Sequence, residues 1–135
     1  MRIKAANASI IIISAELMMY GCINIRLDRS DEGITAAWLA IADGGDVVDN
    51  GEKIYTSVSF DKLFEQIQEF DFPDNTNDEE SITWGIQIGN SEGELIETID
   101  SGNWSREALQ TVIDAIEESI GDDETTASLK EMLNW

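Results

Sequence analysis

The chain has no histidine in its 135 residues. That removes the commonest general base near neutral pH and the commonest metal ligand. Ser-His-Asp and Cys-His nucleophilic arrangements are thereby excluded. Cysteine occurs once, as Cys22, so neither an intrachain disulfide nor a cysteine-rich metal site can form. A lone thiol amid apolar neighbours is expected to pack as a small hydrophobe. Proline also occurs once, as Pro73. Basic residues are scarce: eight Lys and Arg stand against 28 Asp and Glu, a net charge of −20. Such a chain is repelled by phosphate and by anionic lipid, so direct contact with nucleic acid or membrane is not expected.

Motifs that carry chemistry are missing too. The glycines of "DGGDVVDNGE" lack the Gly-Lys-Ser/Thr ending of a phosphate loop, and those of "GIQIGNSEG" lie between strand-like segments rather than before a helix. A calcium loop counted from Asp74 has Glu79 in the glycine position and Gly85 where the bidentate acid belongs. Counted from Asp46, it fails at Val48 and at Ser57. With 28 acids, carboxylate pairs suited to acid–base work arise by chance, so they single out no catalytic pair. The expectation is therefore a protein that is not an enzyme, with no cofactor and no metal.

The N-terminal "MRIKAANASIIIISAELMMYGC" has a basic start, an apolar run and a Gly-Cys pair, as a bacterial lipoprotein signal does. Asn7 and Glu16 interrupt the apolar segment, and it is too short to span a bilayer as a helix. A buried element is expected there instead, in a protein of the bacterial host cytoplasm.

What is present supports one folded domain spanning residues 1–135. Nineteen isoleucines and an apolar content of 42% argue for a real core rather than disorder. Ile10, Ile13, Leu17 and Tyr20 stand at helical spacing before Gly21, which points to an opening helix, although four consecutive isoleucines equally suit a buried strand. Ile23, Ile25 and Leu27 alternate with polar residues as in a half-buried strand, and Ile34 to Ala42 returns as a second. "DGGD" and "DNG" mark tight turns, and "KIYTSV" reads as a third strand. A helix capped by Ser59 follows, with Phe60, Leu63, Phe64, Ile67 and Phe70 on one face. It stops before Pro73. Ile82, Trp84, Ile86 and Ile88 alternate without error, and "LIETI" pairs back as a second hairpin. A long helix over 106–120 has Ser105 as its cap, Trp104 as a staple on Leu109, and Gly121 as its stop. A short helix from about Thr126 to Leu133 ends the order (α)ββ-β-α-ββ-α-α. The expected fold is an α+β domain: two antiparallel hairpins forming a sheet packed by two or three helices.

The charge is unevenly spread. Residues 1–60 hold eight acids and five bases, a near-neutral half. Residues 61–135 hold twenty acids and only Lys62, Arg106 and Lys130, a strongly acidic half. At 100° per residue, Leu109, Val112, Ile113, Ile116 and Ile120 form a core stripe on the long helix, and Glu107, Asp114, Glu117 and Glu118 form the opposite one. Glu117, Glu118, Asp122, Asp123 and Glu124 crowd the helix C-terminal end, where the helix dipole favours cations. Stability alone would not choose that placement; a Lys- and Arg-rich partner surface would. Candidate partner-binding residues are thus Asp74, Asp78, Glu79 and Glu80 in the acidic loop, with Glu107, Asp114, Glu117, Glu118, Asp122 and Asp123 on or after the long helix.

The functional expectation is an inhibitor that sets acids against the basic surface of a nucleic-acid-binding protein or complex, imitating DNA. In size and composition the chain is similar to small acidic anti-defence proteins of phages and plasmids, including anti-CRISPR and anti-restriction types. An immunity protein or antitoxin that neutralises a basic nuclease uses the same physics. A structural or assembly subunit of a virion is the reading from a different class. The sequence leaves the oligomeric state open.

Overall fold

In the computed structural model the described residues are 4–17, 21–70, 82–104 and 106–133. They form an α+β domain with a six-stranded antiparallel sheet and three helices. The strands are β1 (Ile10–Leu17), β2 (Gly21–Ser30), β3 (Gly33–Ala42), β4 (Val47–Thr56), β5 (Ile82–Gly89) and β6 (Leu95–Trp104). Helix α1 (Phe60–Gln68) crosses between β4 and β5, and α2 (Arg106–Ile120) and α3 (Ala127–Leu133) follow β6. The spatial order is β4-β3-β2-β1-β5-β6. The first four strands are thus a meander, and the β5–β6 hairpin joins it along the free side of β1.

The first element corrects the expected helix. Residues 5–7 form one 3-10 turn, and residues 10–17 are a strand paired with β2 on one side and β5 on the other. Two influences favour the strand. Consecutive isoleucines are stiff in a helix but suit a pleated surface. A strand between two others has the backbone of both its edges paired, and here Ile11 and Ile13 point to the helices while Ile10 is buried and Ile12 half-buried on the other face. Gly21 is accordingly the first residue of β2 rather than a helix stop.

Rows of side chains cross the sheet in register. One runs Ile88, Ile11, Leu27, Ala36; the next Ile86, Ile13, Ile25, Trp38; the third Trp84, Ala15, Ile23, Ala40. All twelve are buried and share one hydrophobic cluster with the inward faces of α1, α2 and α3. The expected burial of Trp84, Ile86 and Ile88 against the helices therefore holds, while the side chain of Ile82 falls outside the described residues. Fully burying one of the larger aliphatic side chains contributes roughly 1.5–3 kcal/mol, so these rows and the helix faces packed on them together stabilise the fold.

The "DNG" turn is a second correction. Asn50 and Gly51 lie in the middle of β4, and the chain turns earlier, over residues 43–46. Gly51 pairs with Trp38, whose indole occupies the space a side chain would need: an added Cβ would lie 2.2 Å from the ring. The glycine serves a packing need rather than a turn. β6 likewise runs on to Trp104, past the expected end at Ile99. The Ser105 cap and the Trp104 staple fall outside what is described.

The remaining helix signals agree with the structure. The Ser59 hydroxyl accepts from the Lys62 backbone N–H and caps α1. Gly121 follows α2 with φ of 76°, the left-handed conformation that favours glycine at a helix end. Arg29 anchors the start of α1. Its guanidinium donates to the carbonyls of Ala5 and Ala8, lies 4.6 Å from the Phe60 ring centroid and pairs with Asp61.

Candidate functional site

The apolar stripe of α2 fixes how its acids are presented. Leu109, Val112, Ile113, Ile116 and Ile120 are buried against the sheet. That turns Glu107, Asp114 and Glu118 outward, and all three are exposed. Gln110 donates to Asp114 across one helical turn at 2.8 Å, which orients the carboxylate. The Thr111 hydroxyl donates back to the Glu107 carbonyl. From Glu107 to Glu118 the ridge is about 16 Å long. Its carboxylates stand at axial intervals of roughly 10 and 6 Å.

The other acids of the long helix and its exit are used within the molecule. Lys53, on the helix-facing side of edge strand β4, donates to Asp122 at 2.5 Å and to Glu124 at 3.0 Å. Tyr55, two residues along, donates to Asp122 at 2.9 Å and shares a buried hydrogen bond of 2.7 Å with Thr125. Ser128 donates to Asp49. On the same turn Glu117 accepts from the Thr126 hydroxyl at 2.7 Å and pairs with Lys130 at 3.0 Å. The group forms a polar latch that ties the α2–α3 turn to β4.

The latch shifts the titration of its members. Hydrogen bonding from Lys53 holds Asp122 below the ordinary carboxylate value, and bonds to Asp122 and Glu124 raise the Lys53 ammonium. Desolvation, chiefly, pushes the Tyr55 phenol up. The Lys130 ammonium is raised by its bond to Glu117. These are the shifts of a structural ion-pair network, with both charges stabilised together.

The ten sequence-predicted residues therefore divide. Glu107, Asp114 and Glu118 share one exposed face. Glu117 and Asp122 belong to the latch, and Asp123 is exposed beside it, 3.9 Å from Lys130. Asp74, Asp78, Glu79 and Glu80 lie outside the described residues. Lys53, Tyr55 and Thr125 had no marker in the sequence, because their contacts join positions about seventy residues apart. Exposed Glu65 on α1 and Glu69 at its C-terminal cap extend the acidic character of the helix layer.

Among the described residues Arg26, Arg29, Lys53 and Lys130 are engaged in ion pairs. A cleft of about 680 Å³ opens between the ends of β2 and β3, β4 and α3, lined by Cys22, Ile41, Asp49 and Met132 among others. Its Asp49 is already held by Ser128. Among the described residues no group of three or more His, Cys, Asp or Glu could hold a metal ion. Among them, too, no helix is long and apolar enough to cross a membrane. Compared with known protein families, curated proteins and solved structures, the chain matches none.

Proposed function

We propose that the protein is a non-enzymatic inhibitor that sets its acidic helix layer against the basic surface of a nucleic-acid-binding protein. The observation that carries this reading is the exposed ridge Glu107, Asp114 and Glu118 on a helix whose opposite face is locked into the core. The carboxylates are held on a helix packed into the core, so binding does not have to order a flexible chain. Such a surface speeds encounter with a basic partner and weakens with salt. The setting we propose is the cytoplasm of a bacterial host, in the manner of an anti-defence protein. An immunity protein against a basic nuclease would use the same ridge, and a toxin gene beside this one would favour that role.

The test is capture of binding proteins from host lysate at low and high salt, followed by DNA competition with each captured protein. A partner should be retained at low salt, released at high salt, and blocked from DNA by this chain. The combined change Glu107→Gln, Asp114→Asn and Glu118→Gln should slow association about tenfold at low salt. A partner that still binds DNA while occupied, or retention indifferent to salt, would sink the proposal.

A further inference from the structure

Both edges of the sheet expose large apolar side chains. On β4, Val47, Val48 and Ile54 are 57%, 63% and 58% exposed; on β6, Leu95 and Ile96 are 56% and 37% exposed. The edges differ in regularity. β6 slips register twice against β5, between Thr83 and Gly85 and between Ile88 and Gly89. Irregularities of this kind protect an edge from pairing with another chain. β4 slips once, where Val48 is the extra residue opposite Ala40 and Ile41, and runs in regular register from Asp49 to Thr56, a longer unbroken stretch than β6 has. Lysine often guards such an edge. Here Lys53 is folded over the helix side of the sheet, onto Asp122 and Glu124. Val48, Asn50, Glu52 and Ile54 are left exposed.

We infer that β4 is a self-association edge, on which a second copy of the chain pairs its own β4 antiparallel about a two-fold axis at Gly51. That axis sets residue 48 opposite 54, 49 opposite 53, and 50 opposite 52. Val48 of each copy, at the bulge, then lies beside Ile54 of the other, Asn50 stands opposite Glu52, and Asp49 stands opposite Lys53, each of these two keeping its partners within its own chain. No acid faces an acid, a condition that a chain of net charge −20 must meet before it can pair with itself. The neighbouring axes that keep the same side chains on the same face set an acid against an apolar residue or against another acid. An axis at Asn50 sets Val48 against Glu52 and Ile54 against Asp46. An axis at Glu52 sets that glutamate against its own copy. The strand pair buries less than the roughly 800 Å² per partner of a permanent dimer, so the association is weak and concentration-dependent.

Salt separates this surface from the acidic ridge. Two chains of like charge repel, so salt strengthens their association, whereas it weakens docking on a basic partner. Sedimentation velocity of the full chain across a protein concentration series, at about 0.05 M and about 0.5 M salt, reads the difference. The dimer fraction should rise with both protein and salt. Val48→Thr with Ile54→Thr, at sites more than half exposed, should leave the unfolding midpoint unchanged and weaken association about tenfold. The register has its own probe: Asn50→Cys and Glu52→Cys chains, each also Cys22→Ser, should form disulfide-linked dimers faster mixed than alone. A chain monomeric at every concentration and salt overturns the inference. So does a dimer indifferent to the threonine pair, or crosslinking no faster in the mixture.

Discussion

Glu118 and Asp122 are four residues apart, yet one carboxylate stands in solvent and the other is held by Lys53 and Tyr55. The same contrast separates Glu118 from its neighbour Glu117, which is bound by Thr126 and Lys130. Acids that look alike in sequence thus fall into two populations. One is an exposed ridge that costs a little stability and is free to meet a partner. The other is an internal latch that neutralises bases and closes the helix layer over an edge strand. A charge count cannot distinguish them, because the latch joins a base of the near-neutral half to acids of the acidic half.

The sharpest way to disturb both populations at once is to loosen α2 itself. Ile113 is fully buried beneath the helix, and Ile113→Ala should destabilise by about 2–5 kcal/mol. Urea unfolding should show that loss, and partner binding should fall with the folded fraction. Wild-type stability in this variant would mean that α2 is not packed as described.

Breaking the latch alone should have a smaller effect. Tyr55→Phe removes the hydroxyl that joins Thr125 and Asp122 and leaves Thr125 buried without that partner, a cost of about 1–2 kcal/mol. Association with a basic partner should be unchanged, because the ridge is untouched. If the association rate fell as far as in the ridge variant, the separation of the two populations would be wrong.

Titration gives a subtler view of the same latch. Asp122 has a depressed folded value, so its contribution is whole above the ordinary carboxylate value of 3.8 and is lost as pH falls through the lower folded one. Lys53 is raised, so its contribution is whole below 10.5 and is lost as pH rises through the folded value. Asp122→Asn should therefore flatten the acid limb of a stability–pH curve measured by thermal unfolding. An acid limb identical to wild type would show that Asp122 is not the coupled group.

The smallest stability effect is expected at the ridge. Glu107→Gln, Asp114→Asn and Glu118→Gln together should change stability by no more than about 0.5 kcal/mol, with a slight gain as self-repulsion falls. A loss of several times that size would mean that these carboxylates make structural contacts, and the docking proposal would lose its basis.

Much of the scaffold was legible from local pattern. The alternation in 23–27 and 82–88, the Ser59 cap, the α2 stripe and the Gly121 stop each depend on residues within a few positions of one another. Errors arose where neighbours far along the chain decided the outcome. Ile10–Leu17 has apolar residues at both helical and strand spacing, and it becomes a strand because β2 and β5 flank it. Gly51 sits in a sequence suited to a turn and is kept extended beneath the Trp38 ring.

The sequence by itself determined the net charge, its skew toward residues 61–135, the absence of histidine chemistry and the amphipathic face of α2. All of these are properties of composition or of spacing within one element. Only the tertiary structure decided which acids remain outward. A carboxylate becomes part of the latch when folding brings a base or hydroxyl within hydrogen-bond reach, as it brings Lys53 to Asp122 across 69 positions. Hydrogen bonding acts over about 3 Å in space, and no periodicity along the chain records which distant residues will be brought that close.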